Sequence, residues 1–503
     1  MARRLASATA VASSVWSAAL SLAAVPVYVS RLGIEAYGLI GFFITSQAIL
    51  QVLDLGLAPA VNREVARSAA LGNAGMSRTL LCTLARVYWA TALVIAAAFG
   101  AGASVIATTW LNASTLPVRD VTESLILMGT LIAARWPIAI YQNTLIGMQR
   151  LGAVSLLSAA MSTLSVGASV LTVTTVQARP QVLFAVQAAC SLLHALVIRS
   201  MAWHALGGAG GAAFELASIK RIWRFSASVG GVILTGIALT QLDKALLSKL
   251  LPLASFGEYM LAATVVGGLS VFVGPLFNTI YPEFSALVAR GQSDVLARKY
   301  HRDTRTFAIV FLPIVTALGL YGYDLVWLWT GHRETAGAIA PVVALLCVGS
   351  AINGLMFFPY SLQLAYGLAW IPLAINVGLL VVAAPLIVML AIAHGALGGA
   401  AAWALLEVAY LFTGTWITHQ RIAAGSAWAW LGKAIAIPLA ATGALAWTLH
   451  PLVTLAPGGS GLRAAAVAAS VLISGATIAL CFQDLRSRLF ALVHPSAPTT
   501  RPA

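Results

Sequence analysis

Two short stretches decide how this chain is organised: SRLGIEAYG at residues 30–38 and ASFGEYM at residues 254–260. Both follow a long apolar run, and both carry a glycine, a glutamate and a tyrosine in that order. Glycine permits a tight reversal of the chain, and a glutamate just after it meets the positive end of the next helix dipole. We therefore predict outer turns at residues 31–36 and 256–259, each with a tyrosine at headgroup depth.

A second pair of matching segments lies at the other end of the spans that follow these turns. Residues 57–68 read LAPAVNREVARS and residues 280–291 read IYPEFSALVARG, and Pro59 and Pro282 stand 223 positions apart. The first two spans thus correspond to two spans that lie six spans further along. Because a shift of six spans preserves direction, we predict two six-helix lobes in parallel repeat about a pseudo-twofold axis, which is an architecture of transporters.

The composition indicates that the solvent of this chain is lipid. Of its 503 residues, 60% are hydrophobic and only 9% are charged, and the mean hydropathy is +0.91. Soluble domains carry roughly a quarter charged residues. The apolar runs are continuous, as in helices of about 20 residues that cross a bilayer, whereas a β-barrel shows alternating segments of about ten. The predicted fold class is an all-α polytopic membrane protein.

About fourteen transmembrane helices are expected. The first apolar run exceeds the about 7 to 15 residues of a signal-peptide core, so we interpret it as a retained first span. The predicted division is an N-lobe at 1–206 with spans 1–6, a cytoplasmic amphipathic linker at 207–224, a C-lobe at 225–418 with spans 7–12, and an appendix at 419–503 with spans 13 and 14 and a cytoplasmic tail. The predicted spans are residues 7–30, 36–60, 80–110, 120–146, 153–177, 181–206, 225–249, 257–281, 305–330, 337–363, 368–393, 396–418, 428–450 and 462–482.

The basic residues predict the orientation of these spans. With the N-terminus in the cytoplasm, 21 of the 29 Lys and Arg residues lie in cytoplasmic segments and 6 in outer segments, as the positive-inside rule requires. Both termini are then expected in the cytoplasm. The formal charge of +14 is spread over short loops without a basic domain, so no nucleic-acid partner is expected.

The sequence carries no signature of a soluble enzyme. It has no Walker loop, no dinucleotide fingerprint and no metal-spaced histidine pair, and its four cysteines lie in apolar runs without a CxxC pair. Cysteines of this kind are typical small apolar residues of a protein interior. We therefore expect no catalytic residue, no cofactor and no metal.

Arg135 is the strongest candidate for a functional residue, because a charged side chain near the middle of a span is costly and by default functional. It lies in AARWPIAIYQN, where Pro137 is expected to kink the helix and free a carbonyl. The alternative is that Arg135 pairs with a buried carboxylate, for example Glu407, as a packing device. Three candidate substrate-binding side chains follow about two turns closer to the cytoplasm: Tyr141, Gln142 and Asn143.

Other charged residues inside predicted spans are also candidates. Asp243 and Lys244 fall in the outer half of span 7, and neighbouring side chains on a helix point about 100° apart, so we expect no simple pair between them. Lys244 is a candidate for substrate binding, and Asp243 and Glu407 are candidates for binding a coupling proton or sodium ion, with a hydrogen-bond network as the alternative. Asp54 and Asp324 lie near interfaces, which favours helix-end roles. Further candidate cavity residues are Asn278, Asn353, Gln363 and Asn376.

Several segments resemble one family of membrane proteins. SRLGIEAYGLIGF with LDLGLAPAVNREVAR, then QNTLIGMQRLG at 142–152 and QLDKALLSKLLPLASFGEYMLAATV at 241–265, are similar to Wzx-type flippases of the multidrug/oligosaccharidyl-lipid/polysaccharide exporter superfamily. The resemblance covers about residues 1 to 330, and it implies a location in the inner (plasma) membrane of a bacterium. It implies two lobes in a V that open alternately to each side. It also implies export of an undecaprenyl-diphosphate-linked oligosaccharide to the outer leaflet for exopolysaccharide or lipopolysaccharide assembly, with a polymerase and chain-length machinery as partners in the bilayer.

Three other functions remain open at this point. A multidrug or cation antiporter shares the same repeat. A membrane polysaccharide polymerase or glycosyltransferase needs a sizeable outer loop with catalytic acids, whereas the longest outer loops expected here, 111–119 and 451–461, have about ten residues. A bare scaffold would not need charges in spans 4, 7 and 12.

Overall fold

The computed structural model describes residues 2–208, 210, 213–422, 427–454 and 460–481, and the predicted polar tail from Gln483 lies outside them. In the first half of the chain the α-helices are α1 (Ala2–Leu32), α2 (Ile34–Leu50), α3 (Leu57–Ala70), α4 (Ala74–Val105), α5 (Val118–Arg135), α6 (Ile138–Gly147), α7 (Leu151–Thr175), α8 (Pro180–Ala205), α9 (Leu216–Leu250) and α10 (Leu253–Gly267). In the second half they are α11 (Ser270–Ala289), α12 (Ser293–Leu320), α13 (Gly322–Thr330), α14 (Arg333–Ala365), α15 (Trp370–Ile422), α16 (Ala427–Trp430), α17 (Ile437–Thr454) and α18 (Ser460–Cys481).

Eleven helical segments among the described residues are long and apolar enough to cross a membrane. One of them is α15, which has 53 residues and a non-helical glycine, Gly395, with φ 60°. At 1.5 Å per residue its length of about 80 Å far exceeds a hydrocarbon core of about 30 Å, so α15 comprises two spans. The all-α polytopic membrane fold is confirmed, whereas the count of fourteen spans stays a prediction.

The chain forms two compact units. The first is Met1–Leu261 with Ala391–Ala396, and the second is Ala262–Leu390 with Leu397–Ala503. Helix α9, which holds predicted span 7, packs against α2, α3 and α4 in the first unit. The lobe boundaries at 206 and 225 describe repeat symmetry rather than compactness, and they stay a prediction.

Each unit has its own apolar core and a surface suited to lipid. In the first unit the core joins α3, α4, α6 and α8, and Leu84 and Leu145 are fully buried in it. In the second unit it joins α11, α12, α14, α15 and α16, with Phe358 and Trp430 at 0% exposure. Large apolar side chains such as Trp447, 82% exposed, lie on the outside. An apolar exterior over apolar cores is what a lipid solvent permits.

The two repeated glycine motifs have different roles. Gly33 adopts φ 85° ahead of α2, so the predicted turn at 31–36 is confirmed. The predicted turn at 256–259 is wrong, because α10 already begins at Leu253. There Gly257 allows close packing instead: a Cβ on it would lie 2.2 Å from the carbonyl oxygen of Ile34.

The two motif tyrosines are buried inside the protein, and their headgroup depth stays a prediction. Tyr37 is 2% exposed and Tyr259 is 0% exposed, so both lie in protein interior. Their burial follows from the close approach of α2 and α10, since a Cβ on Gly38 would also lie 2.4 Å from the carbonyl oxygen of Leu253. The motif therefore builds a helix contact as well as a turn.

The loop between α4 and α5 is hydrogen-bonded to the start of α2 and to the end of α9. The carboxylate of Glu35, at the start of α2, accepts hydrogen bonds from the backbone N–H groups of Ser114, Thr115 (2.8 Å) and Leu116 (3.0 Å). On the other side of the loop, the side chain of Asn112 donates to the Lys249 carbonyl at 2.9 Å. One short loop thus joins the start of α2 to the end of α9, a contact the sequence did not reveal.

Candidate functional site

Two breaks in helices place the candidate site in the first unit. Helix α2 ends at Leu50, Gln51–Asp54 form a 3₁₀ turn, and Leu55 and Gly56 both have positive φ, 49° and 73°. A positive φ is unusual for leucine and is found most often at functional sites. Irregular backbone at membrane depth is tolerated where it lines a cavity. Hydropathy does not predict this break, because it predicts residues 36–60 as one continuous span.

The second break is the one that Pro137 predicted. Helix α5 ends at Arg135 and α6 begins at Ile138, because proline lacks an N–H and clashes with the preceding turn. Arg135 is therefore the last residue of α5, where its side chain is set by the helix behind it and by the kink ahead of it. The predicted kink is confirmed.

Between the two breaks lies a cavity of about 230 Å³. It contains one guanidinium, one carboxylate, two amides and two aromatic side chains, together with small apolar groups. Its lining residues are Gln47, Gln51, Asp54, Ala58, Pro59, Tyr88, Ile132, Arg135, Trp136 and Ala139.

Arg135 enters this cavity with unused hydrogen-bonding capacity. It donates to Gln47 Oε1 at 2.9 Å and to Ser191 Oγ at 3.3 Å, and it lies over the Phe43 ring at 5.2 Å. A guanidinium has five N–H groups, so three have no partner within the described protein. It forms no ion pair with a described carboxylate of the first unit. A partly buried cation with this arrangement suits an anionic ligand.

Asp54 has two roles in the same cavity. One carboxylate oxygen accepts from the Ala58 N–H at 3.3 Å, at the start of α3, so the predicted helix-end role is present. The other accepts from the Tyr88 hydroxyl. Because Asp54 also lines the cavity beside Tyr88 and Trp136, whose rings lie 6.0 Å apart, a helix-end role alone does not describe it.

The three polar residues predicted after Arg135 do not line this cavity. The Tyr141 hydroxyl accepts from the Trp89 indole at 3.1 Å, and Gln142 donates to Ser158 at 3.2 Å. Asn143 bonds the carbonyl of Ala139, one turn back on its own helix, at 3.0 Å. Each of these three side chains therefore has a hydrogen-bond partner outside the cavity lining or on its own helix backbone. Of the predicted substrate-binding residues, Arg135 is the one that faces the cavity.

The expectation that Asp243 and Lys244 do not pair is wrong. The Lys244 ammonium lies 3.1 Å from both carboxylate oxygens of Asp243, because its long stem curls back along α9. The Tyr259 hydroxyl donates to the same carboxylate at 2.5 Å. Asp243, 4% exposed, is thus fully partnered, which matches the alternative of a hydrogen-bond network.

Glu407 is the least satisfied buried carboxylate of the second unit described here. It is 4% exposed, and one oxygen accepts from the Asn353 side chain of α14 at 2.9 Å. Its other oxygen has no hydrogen-bond partner among the described atoms. Gln363, another predicted cavity residue, donates to Thr418 at 2.7 Å. Helices α14 and α15 are therefore joined by polar contacts, and the one at Glu407 is incomplete.

Four cavity residues escaped the sequence analysis: Gln47, Gln51, Tyr88 and Trp136. Gln47 and Gln51 stand four positions apart, which places them on one helix face, and two amides in an apolar run were an available signal. Tyr88 and Trp136 carried none, since aromatic residues are common in spans. The Asn278 side chain lies outside the described residues. Across the part of the chain that is described, no three His, Cys, Asp or Glu residues cluster as a metal site would need.

The chain matches the family model of polysaccharide biosynthesis proteins over residues 7–288, more than half of its length, and belongs to that family. The predicted resemblance to Wzx-type flippases is thereby confirmed. A search of curated proteins finds no significant match.

Solved structures of transporters and flippases share the fold. The lipid II flippase MurJ, in an inward closed conformation, aligns with a TM-score of 0.69 at 11% identity, over 94% of this chain and 98% of MurJ. An inward-facing multidrug resistance MATE transporter of the MOP superfamily aligns at 0.62 and 13% identity, over 80% of this chain and 94% of its own. The Vibrio cholerae MATE transporter VcmN in its bent form aligns at 0.51 and 13% identity, over 84% and 100%. This chain is a multi-pass membrane protein with the fold of MOP-superfamily transporters and flippases.

Proposed function

We propose that this protein is a flippase that moves an undecaprenyl-diphosphate-linked oligosaccharide from the inner to the outer leaflet of the bacterial inner membrane, by alternating access. The product would feed exopolysaccharide or O-antigen assembly, with a polymerase and chain-length machinery as partners. Both termini would be cytoplasmic, and the protein would act as a transporter, without enzymatic chemistry. The observation that carries the proposal is Arg135, a cation that lines a cavity and forms no ion pair with any described carboxylate of its unit.

The physical task explains why such an arginine is needed. A diphosphate and its sugar must pass the hydrocarbon while the lipid tail stays in lipid. An anion without partners is very costly at that depth, so the path needs fixed positive charge. The planar guanidinium can bind phosphate oxygens through two parallel N–H groups, and Arg135 keeps three N–H groups for this purpose.

Glu407 is the better of the two candidates for ion coupling. A buried carboxylate with one amide partner is costly to keep charged, and a bound proton or sodium ion lowers that cost. Asp243 already has an ammonium and a phenol as partners, so we assign it and Lys244 to the structure of α9 and α10. We assign Tyr141, Gln142 and Asn143 to packing around α6.

The membrane potential also favours export. A diphosphate headgroup carries roughly two negative charges, and each elementary charge is worth about 2.3 kcal/mol per 100 mV. Outward movement from a negative cytoplasm would therefore gain about 4 to 5 kcal/mol per 100 mV, provided that the empty carrier returns without those charges. A cation on Glu407 would then act on the return step.

Deletion of the gene tests the proposal. Cells without the protein should accumulate lipid-linked oligosaccharide on the inner leaflet, where a membrane-impermeant glycosidase added to spheroplasts cannot reach it. Accumulation on the outer leaflet, unpolymerised, would favour a polymerase instead. Normal export combined with increased sensitivity to cationic drugs would favour a multidrug antiporter of the same fold.

A further inference from the structure

The Arg135 cavity contains a carboxylate that phosphate binding does not explain. We infer that the cavity holds the sugar ring next to the diphosphate, and that Asp54 selects a neutral or amino sugar over an acidic one at this position. The inference rests on the proposed function and adds to it the chemical class of one sugar. A site for phosphate alone would present donors and cations, and Asp54 offers neither.

The hydrogen-bonding capacity of Asp54 is only partly used. An ionised carboxylate has about four lone-pair sites, and the Tyr88 hydroxyl, the Ala58 N–H and the Gly56 N–H occupy three of them. The remaining site can accept from a sugar hydroxyl or from a sugar ammonium. The carboxylate repels a second carboxylate, which has no hydrogen to donate.

Asp54 and Arg135 are held by separate partners and form no ion pair with each other in the described structure. Arg135 is fixed by Gln47 and Ser191, and Asp54 is fixed by Tyr88 and Ala58. One ligand that satisfies both must be anionic at one end and rich in hydroxyl or amino groups at the other. A sugar joined to a phosphate has this polarity.

The size and the neutral groups of the cavity agree with a single ring. Its volume of about 230 Å³ lies below the roughly 300–1,000 Å³ of pockets that enclose a whole drug-sized ligand, so it takes one sugar and not a chain. Gln47 accepts from Arg135 through its oxygen, which leaves its amide N–H groups for ring hydroxyls. Gln51, on the exposed rim of the 3₁₀ turn, adds a second amide.

Binding of soluble sugar phosphates to the purified full-length protein tests this inference. Calorimetric titration would compare α-D-glucose 1-phosphate, α-D-glucosamine 1-phosphate and α-D-glucuronate 1-phosphate. We expect the wild type to bind the glucuronate at least about tenfold more weakly than the other two. Asp54→Asn should abolish this preference, whereas Arg135→Ala should weaken all three ligands by the same factor.

Two further variants separate the charge of Asp54 from its role in the helix break. Tyr88→Phe removes a hydrogen bond to Asp54 but leaves the carboxylate, so the preference should persist. Gln51→Lys, at the exposed rim, leaves Asp54 in place and offsets its charge, so the preference should shrink even if Asp54→Asn fails to fold. Loss of the preference in Tyr88→Phe would attribute it to local structure and overturn the inference.

A flipping assay on the same protein preparation distinguishes this inference from the proposed flippase function on which it rests. Wild-type protein that flips lipid-linked oligosaccharide but binds the three sugar phosphates equally, or binds none, would contradict the inference alone. Protein that shows the preference but does not flip would contradict the proposed function.

Discussion

The Arg135 cavity of the first unit and the Glu407 contact of the second differ in sign and in access. Arg135 lines a cavity of about 230 Å³ and keeps three N–H groups without a partner among the described residues. Glu407 is 4% exposed between α14 and α15, with one oxygen bonded to Asn353 and the other without a partner in the same described part of the chain. A cation open to a cavity suits a bulky anionic cargo, whereas an enclosed carboxylate suits a small cation.

A third buried charge shows that burial alone does not indicate function. Asp243 is as buried as Glu407, yet Lys244 and Tyr259 occupy its oxygens. A satisfied carboxylate has little to gain from a ligand, because its desolvation is already offset by partners. We therefore rank buried charges by their unused hydrogen-bonding capacity. Arg135 and Glu407 rank above Asp243, whose oxygens already have partners.

Removal of the Arg135 guanidinium should have the largest effect. Arg135→Ala should reduce export by at least about 100-fold at normal protein levels, since a buried charge partner of the phosphates is lost. Arg135→Lys should keep part of the activity, because the charge survives without the planar fork. Export would be measured as surface polysaccharide per amount of protein in the membrane. Arg119→Ala, at an exposed arginine paired with Glu123, is the matched control and should export normally.

Neutralisation of Glu407 should separate coupling from cargo binding. Glu407→Gln keeps the shape and the contact to Asn353 but cannot exchange a cation, so export should fall by about tenfold and lose its dependence on a proton or sodium gradient. Binding of the phosphate-containing headgroup should stay unchanged. Glu334→Gln, at an exposed glutamate in the first turn of α14, controls for loss of a carboxylate. A Glu407→Gln variant that still responds to the gradient would remove Glu407 from the coupling scheme.

Neutralisation of Asp243 should act on stability and leave coupling intact. Asp243→Asn leaves the Lys244 ammonium, which is 21% exposed, without its acidic partner, so thermal unfolding in detergent should reveal a loss of about 1–3 kcal/mol. Tyr259→Phe should show a smaller loss of the same sign. Gradient-dependent export at a normal rate per folded protein is expected for both variants. Abolished gradient dependence in Asp243→Asn would reverse the ranking of Asp243 and Glu407.

Orientation is testable with substitutions that should leave transport unchanged. In a variant without its native cysteines, Ala113→Cys in the α4–α5 loop should react with a membrane-impermeant thiol reagent in intact spheroplasts. Ser293→Cys at the start of α12 should react only after lysis. The opposite labelling pattern would invert the assignment of outer and cytoplasmic sides, and with it the direction of transport.

Hydropathy and single charges predicted the parts of this molecule that depend on one residue in its own helix. The membrane fold, the break at Pro137 and the choice of Arg135 as a candidate all follow from local chemistry. The break at Leu55 and the pairing of Asp243 with Lys244 did not, because they depend on packing against other helices and on a flexible lysine stem. The sequence predicts a turn at Gly257, whereas the structure has a close helix contact there. Both features require a residue without a Cβ, so a glycine alone does not distinguish them.

The cavity was only partly predictable for the same reason. Arg135 is recognisable from the sequence as a charged residue within an apolar span. Tyr88 is not, because it bonds Asp54 from another helix, 34 positions away. No spacing rule joins residues that meet only through tertiary packing. Tyr141, Gln142 and Asn143 were near Arg135 in sequence but point to other partners.

The most direct test of the account is flipping in vesicles that contain only this protein and lipid-linked oligosaccharide. Accessibility of the labelled sugar to an external, impermeant glycosidase would be followed after imposing a potential. The account predicts rapid transfer by the wild type, slowed when an ionophore collapses the potential, and transfer at the protein-free rate for Arg135→Ala. Wild-type vesicles that match protein-free vesicles, or Arg135→Ala vesicles that match the wild type, would contradict it.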